Sequence, residues 1–219
     1  MREDDVRAAC TLFAAEGVET VAISFVWSVL HPDHERRVGE IVREMMPGVI
    51  LTLGSQLYPQ VREYTRTSTA VVNACLAPIM KRYVAAVDKY FQSQGAVQPV
   101  RHYQSNGGLA IGQAMTDRSV HAIKWRPASA PAAGQYVCAP FGKKDVITID
   151  LGGTSFDITL TKNGSTNLNK NIDFLRYRIG VPMICVSVKR LFRMRLLLQG
   201  WAASTLRRGR FRGAGQWPT

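Results

Sequence analysis

The chain has 219 residues, 46% of them hydrophobic and 20% charged, enough for one good core or for one domain and a piece of another. The formal charge of +12 sits mainly at one end: Lys189–Thr219 carries eight basic residues and no acid, which leaves residues 1–188 at only +4. A nucleic-acid partner would therefore rest on the tail alone and is not expected. There is no apolar run of about 18 residues, which argues against a membrane span. The acidic opening MREDDVRAAC is unlike a secretion signal. Four scattered cysteines, with no CxxC and no Cys/His pairing, suit reduced thiols in the cytoplasm and not a metal site.

Taken in order, residues 4–16 read as a helix, with Asp4 and Asp5 at its N-terminus and Val6, Ala9, Leu12 and Phe13 on one apolar face. Val18–Phe25 follows as a strand. Ser28–His34 is a polar turn in which His31, Asp33 and His34 invite a metal reading; Asp33 capping the next helix is the commoner outcome. Glu35–Met46 is a second amphipathic helix, stopped by Pro47-Gly48, and Val49–Leu53 a second strand. Helix–strand–helix–strand alternation predicts a three-layer α/β/α domain.

Residues 61–69, VREYTRTST, crowd arginines, an acid and hydroxyls ahead of a long helix. Arg62 and Arg66 could fork an anion, or the segment could be a solvated helix start with Thr and Ser caps. The helix runs to about Gln94, with a stripe from Leu76 to Phe91 expected in the core. Residues 100–109 read as a strand and a Gly-rich turn, Gln104-Ser105-Asn106-Gly107-Gly108, either a ligand-facing loop or an Asn-Gly hairpin. Residues 127–140, rich in Pro and Ala, look like a linker.

The stretch with the most chemistry is Val146–Leu160, VITIDLGGTSFDITL. Alternating β-branched residues end in Asp150. Gly152, Gly153, Thr154 and Ser155 form a turn, and Asp157 opens a returning strand, so a β-hairpin is expected. Glycines let backbone N–H groups converge on an anion, hydroxyls add donors, and a strand-end carboxylate can hold Mg²⁺.

The string D-x-G-G-T-S-x-D resembles the phosphate-binding hairpin of the actin-like ATPase superfamily, and more narrowly that of the hydantoinase A / 5-oxoprolinase family. The likeness extends along the chain. Pro32, His34, Glu35, Arg36 and Arg37 match P-x-H-E-R-R. Arg62 to Tyr83 match REYxRTSTxVxNAxLxPxxxRY. QSNGG stands at 104–108, and Ser129, Pro131, Ala132, Ala133 and Gly134 match SGPAAG with Ala130 in place of its first glycine. Ala130 puts the local turn geometry in question, because Ala does not readily take positive φ.

The resemblance implies an actin-like ATPase fold on a ribonuclease-H-like core, incomplete in this chain. It implies ATP-dependent opening of a cyclic amide (hydantoin or 5-oxoproline) by phosphoryl activation; carboxylase relatives use the same activation on ketones. ATP and Mg²⁺ are the implied cofactors. Gly152, Gly153, Thr154 and Ser155 would contact phosphate, Asp150 would orient Mg²⁺ or water, and Asp157 would support the hairpin or the metal. Arg62, Glu63, Arg66, Thr67, Ser105, Asn106, Gly107 and Gly108 are the candidates for the substrate side. The likeness fades after residue 188, so residues 1–188 are expected to form the family domain and 189–219 a separate basic tail. That tail could be a basic amphipathic helix, a disordered arm or a stretch translated outside the family's frame; the sequence favours the last. A first phosphate loop and a later Gly-rich segment of the family have no counterpart here. The chain is therefore expected to need a partner, supplying the other ATPase lobe or a hydantoinase B-like subunit, or else to be a folded remnant without turnover.

Overall fold

Two strands, β1 (Thr20–Ile23) and β2 (Ile50–Leu53), pair in parallel in register from Thr20 beside Ile50 to Ile23 beside Leu53. Helix α1 (Glu3–Ala15) precedes them and α2 (Asp33–Met45) crosses between them. The structure, a computed structural model, describes residues 1–151, 155–174 and 176–190. Successive strand residues point to opposite faces. Val21, Ile23 and Leu53 turn toward α2, where they bury with Cys10, Val38, Val42 and Met46. Thr52 turns the other way and accepts a 3.0 Å hydrogen bond from Asn73 Nδ2 on α4 (Glu63–Ser93). Helices thus cover both faces of this small sheet, which is the expected three-layer arrangement. Arg37 clamps α1 to α2 by two bonds to Glu3, at 2.7 and 2.8 Å.

The expected cap is absent. Asp33 lies in the first turn of α2, Pro32 holds the capping position without a side-chain bond, and Asp33 faces Arg36 at 3.7 Å.

A short α3 (Gly54–Leu57) leads to α4, 31 residues long. By length and composition α4 would suit a membrane span. The helix packs on β1, β2 and α3, and most of its buried residues lie in its N-terminal half. The C-terminal half meets expectation only in part: Val84 is buried. Ile79, Tyr83 and Phe91 are not core; they line an open groove of about 470 Å³ with Met80, His102 and Tyr103.

After α4 the chain makes a hairpin of β3 (Arg101–Tyr103) and β4 (Leu109–Ile111), then α5 (Gly112–Asp117) and a 3₁₀ turn, Ser119–Ala122. The stretch read as a linker is helix α6 (Trp125–Cys138), with Pro131 inside it. Packing against the sheet that follows outweighs the broken backbone bond that an internal proline costs. Ala130 is not among the residues at positive φ, so the missing glycine imposes no strain.

The β-hairpin is present as expected: β5 (Val146–Leu151) and β6 (Ser155–Lys162), antiparallel, with Asp150 opposite Asp157. Short strands follow: β7 (Ser165–Thr166) on β6, β8 (Leu168–Asn169), β9 (Ile172–Phe174) paired with β10 (Tyr177–Ile179), and β11 (Met183–Ile184) paired with β8. β12 (Val186–Arg190) closes on the other edge of β6, two residues past the expected domain boundary. A second core joins Val120, Ile123, Ile179, Val181 and Met183 beneath α4.

Gly134 sets the distance between α6 and β5, because a Cβ there would collide with Thr148 Oγ1 and press on Val146 Cγ1 at 3.2 Å. Gly134→Ala should therefore lift α6 off the hairpin and cost about 1–3 kcal/mol, as overpacking does. The check is the urea midpoint; an unchanged value would mean that the helix and sheet are not in close contact.

Candidate functional site

The β5–β6 hairpin has two unlike faces. Directly paired residues share a face. Val146 with Thr161, Thr148 with Thr159 and Asp150 with Asp157 lie on the side covered by α6. Hydroxyls fill its middle, and two carboxylates stand side by side at the mouth, next to the turn. Asp157 is buried and Asp150 is exposed. Two like charges directly opposed on neighbouring strands repel, and a cation beside them offsets that repulsion. Oxygen-only donors with one solvent-facing member fit a hard divalent ion that keeps most of its waters. The buried hydroxyls of Thr148 and Thr159 have no partner, so polar capacity continues inward from the acids. Among the described residues there is no cluster of three or more His, Cys, Asp or Glu, so any metal here would draw on two carboxylates and on water or ligand oxygens. Gly152, Gly153 and Thr154 lie outside the described residues; Ser155 begins β6.

The other candidates fall into two separate groups. At the start of α4, Glu63 Oε1 accepts from the Trp27 amide at 3.3 Å, and Thr67 Oγ1 shares a 2.8 Å bond with Ser24 Oγ. Arg62, exposed and at φ 88°, precedes the helix. Glu63 and Thr67 thereby hold the loop at 24–28, which presents Phe25 and Trp27 to solvent.

Arg66 corrects the sequence reading. It is fully buried, and its two terminal nitrogens donate to Gln60 O at 2.9 Å and Phe25 O at 2.8 Å. Its fork is occupied by the chain's own carbonyls, and it positions the loop instead of meeting an anion. Nor do hydroxyls cap the helix: Ser68 and Thr69 bond back to Tyr64 O and Thr65 O, one turn earlier.

Ser105 is buried as well, with its backbone engaged and its hydroxyl without a partner. It is 1% exposed, its amide donates to His121 O, and its carbonyl accepts from Ile184 N, both at 2.8 Å. Asn106 Oδ1 accepts from Gly108 N at 2.8 Å, a local turn bond. Gly107 is at φ 84°, and a Cβ there would also meet Ile184 Cδ1 at 2.8 Å, so both backbone and space require glycine. This turn is built to pack on β11. Next to it, burial and then the charge of Arg118 push the His121 imidazole below its ordinary value.

The largest surprise is Glu35. It is fully buried and accepts from the amides of Phe25 and Ser55, both at 2.8 Å. Burial pushes its carboxyl up. The hydroxyls of Ser28 and Ser55 and the amides of Phe25 and Ser55 outweigh that push and hold it below the ordinary carboxylate value. The two hydroxyls face the carboxylate outside strict hydrogen-bond geometry, so the short amide bonds are the ones that matter. Asn73, also buried, ties β2 to the turn after α5: Nδ2 donates to Thr52 Oγ1 and Asp117 O, and Oδ1 accepts from Val120 N. An amide in the apolar stripe of a helix was the available signal.

Comparison with known proteins shows the family. The hydantoinase/oxoprolinase family model matches residues 66–188, and that of the hydantoinase/oxoprolinase N-terminal region matches residues 1–46. The chain belongs to the hydantoinase/oxoprolinase family. It is 56% identical over 184 residues to caprolactamase subunit alpha of Pseudomonas jessenii, covering 84% of this chain and 26% of that one. The crystal structure of that ATP-dependent caprolactamase superposes with a TM-score of 0.78 over 85% of this chain. The nucleotide-free structure of an ATP-dependent acetone carboxylase gives 0.71 at 25% identity, over 86% of this chain and 27% of that one. 5-Oxoprolinase of Saccharomyces cerevisiae is 30% identical over 165 residues, 74% of this chain and 12% of the relative. The fold is thus the actin-like α/β fold of these enzymes. The chain spans about a quarter, or less, of the length of the relatives it matches.

Proposed function

We propose that this chain is the part of an ATP-dependent cyclic-amide hydrolase that holds the phosphate end of ATP. The carboxylate pair Asp150/Asp157, at the mouth of the β5–β6 hairpin and flanking the sequence Gly-Gly-Thr-Ser, carries the reading. Bound ATP would supply a phosphoryl group that activates the amide oxygen and makes the ring carbonyl electrophilic to water. The protein's share in such chemistry is positioning and charge neutralisation. Asp150 and Asp157 hold Mg²⁺ through oxygen, and Gly152, Gly153, Thr154 and Ser155 contact phosphate. Arg62, Glu63 and Thr67, with the loop that Glu63 and Thr67 brace, form the polar group available to the substrate. The substrate class is a lactam or related cyclic amide. The caprolactamase and acetone carboxylase relatives are named as subunits, and completion by partner polypeptide is part of this proposal, as is a cytoplasmic location.

Calorimetry with Mg·ATP tests it. The chain should bind in the micromolar range, and Asp150→Ala should weaken binding at least about tenfold, or 1.4 kcal/mol. A well-folded chain that takes up no heat would leave the family name describing ancestry and not activity.

A further inference from the structure

A second cavity, of about 290 Å³, lies along the edge of β2 that β1 leaves free. Three consecutive residues of the strand, Leu51, Thr52 and Leu53, line it. Side chains of successive residues leave a strand on opposite faces, so a hollow that touches all three runs beside the strand and not over one face of it. Backbone donors point the same way. Ile50 N donates to Glu19 O at 2.9 Å on the β1 side, and bonding direction alternates along a parallel ladder. Leu51 and Leu53 therefore turn their N–H groups to the other edge, where no strand pairs among the described residues.

Charged side chains from two other elements complete the walls: Arg43 near the end of α2, Asp117 as the last residue of α5, and Arg118 beside it. A Cβ placed on Gly39 would lie 3.6 Å from Arg43 Nη1, and 3.2 and 3.3 Å from Leu51 Cδ2 and Leu53 Cδ2, so the guanidinium is folded down onto β2. Arg7, Arg36 and Arg37 are paired with acids. Neither Arg43 nor Arg118 makes an ion pair or a side-chain hydrogen bond among the described residues. Asp117 Oδ1 accepts from Gln113 Nε2 at 2.9 Å, and its other oxygen has no partner among the described residues. Leu57 adds an apolar wall. A plain anion would be repelled by the acid. Two cations, one anion and leucines around one small hollow suit a ligand that carries both charges on a short apolar chain.

We infer that this pocket holds the amino acid that opening a cyclic amide releases. Adding water across the ring C–N bond leaves a carboxylate at the former carbonyl carbon. It also leaves an amine, protonated at neutral pH, at the other end of the same carbon chain. Arg43 and Arg118 meet the carboxylate, whose geometry the guanidinium fork matches, and the free N–H groups of β2 are further donors. Asp117 meets the ammonium, and the methylenes lie against the leucines. The volume is at the small end of the range for ligand pockets, about 300–1,000 Å³. No wall comes from β5 or β6. An amino acid held here therefore leaves the hairpin acids free, which makes this a site for feedback by product and not for the reaction itself. The inference rests on the proposed function for the identity of the ligand alone.

Calorimetry on the full chain, without nucleotide, tests it. The probes are ε-aminocaproate, the ring-opened form of caprolactam, then caproate, which lacks the ammonium, and inorganic phosphate as a plain anion. ε-Aminocaproate should bind, and Arg43→Gln and Arg118→Gln should each weaken it by about tenfold or more. Asp117→Asn should weaken ε-aminocaproate likewise and leave caproate no weaker, because the repelling charge is gone. All three side chains are exposed, so the variants should keep the wild-type thermal midpoint, measured alongside. Caproate or phosphate binding as tightly as ε-aminocaproate would overturn the proposal, since the pocket would then read negative charge alone. So would an affinity that survives all three substitutions, or a folded chain that binds no ε-aminocaproate. The Mg·ATP titration separates the two readings. If nucleotide binds and ε-aminocaproate does not, this inference fails by itself. If ε-aminocaproate binds with these variant effects and nucleotide does not, the pocket stands and the nucleotide reading fails.

Discussion

Arg66→Ala should destabilise the chain by about 4 kcal/mol and lower its thermal midpoint by about 10 °C. The guanidinium makes two charge-assisted bonds, to Phe25 O and Gln60 O, each of a kind worth about 1.5–3 kcal/mol. Removing it orphans two carbonyls and leaves space where a fully buried side chain stood. Against a total stability of about 5–15 kcal/mol, that is a large share. Arg66→Lys should recover only part of the loss, because an ammonium lacks the fixed fork that reaches two carbonyls at once. Hydrogen exchange gives the local readout: amides at 25–28 should exchange faster, since Arg66 and Glu35 grip the two sides of Phe25. A stable Arg66→Lys that instead lost anion binding would restore the ligand role that burial argues against.

This case shows what the sequence could convey. The hairpin was legible because alternation and turn glycines are local properties of Val146–Leu160. The strands β1 and β2 and the helices around them were legible for the same reason. Residue chemistry alone could not separate Arg62, which is exposed, from Arg66, which is buried four residues on; the two present the same donors, and only the packing of the loop at 24–28 against α4 assigns one to structure. The burial of Ser105 was hidden likewise, since a hydroxyl in a Gly-rich turn looks the same whether it is exposed or enclosed. The helix α6 was hidden by composition: Pro131 and a run of alanines suggest a linker, and the contacts that stabilise the helix come from β5 and β6, later in the chain. The stripe Leu76–Phe91 was periodic but is core only in part, with Val84 buried and Ile79, Tyr83 and Phe91 exposed, because periodicity shows that a face is apolar without showing what covers it.

Glu35→Gln should cost about 3 kcal/mol at neutral pH and should also change how stability depends on acid. The carboxylate accepts two amide N–H bonds, from Phe25 and Ser55, with one oxygen each. An amide side chain keeps one acceptor and turns an N–H₂ group toward the other donor, so one buried N–H loses its partner and meets a second donor, at about 1–3 kcal/mol for the lost bond and more for the conflict. Because the folded carboxyl sits below its ordinary value of 4.5, the unfolded chain takes up the proton first as pH falls. Its contribution is therefore fully present above the ordinary carboxylate range and is lost as pH drops through the folded value. Urea unfolding of both proteins between neutral pH and acid separates this from a general acid effect. The gap between wild type and Glu35→Gln should be widest at neutral pH and should narrow in acid, where both side chains are uncharged. Parallel curves would show that Glu35 is not the ionised acceptor its geometry describes, and that the loop at 24–28 is held by Arg66, Glu63 and Thr67 without it.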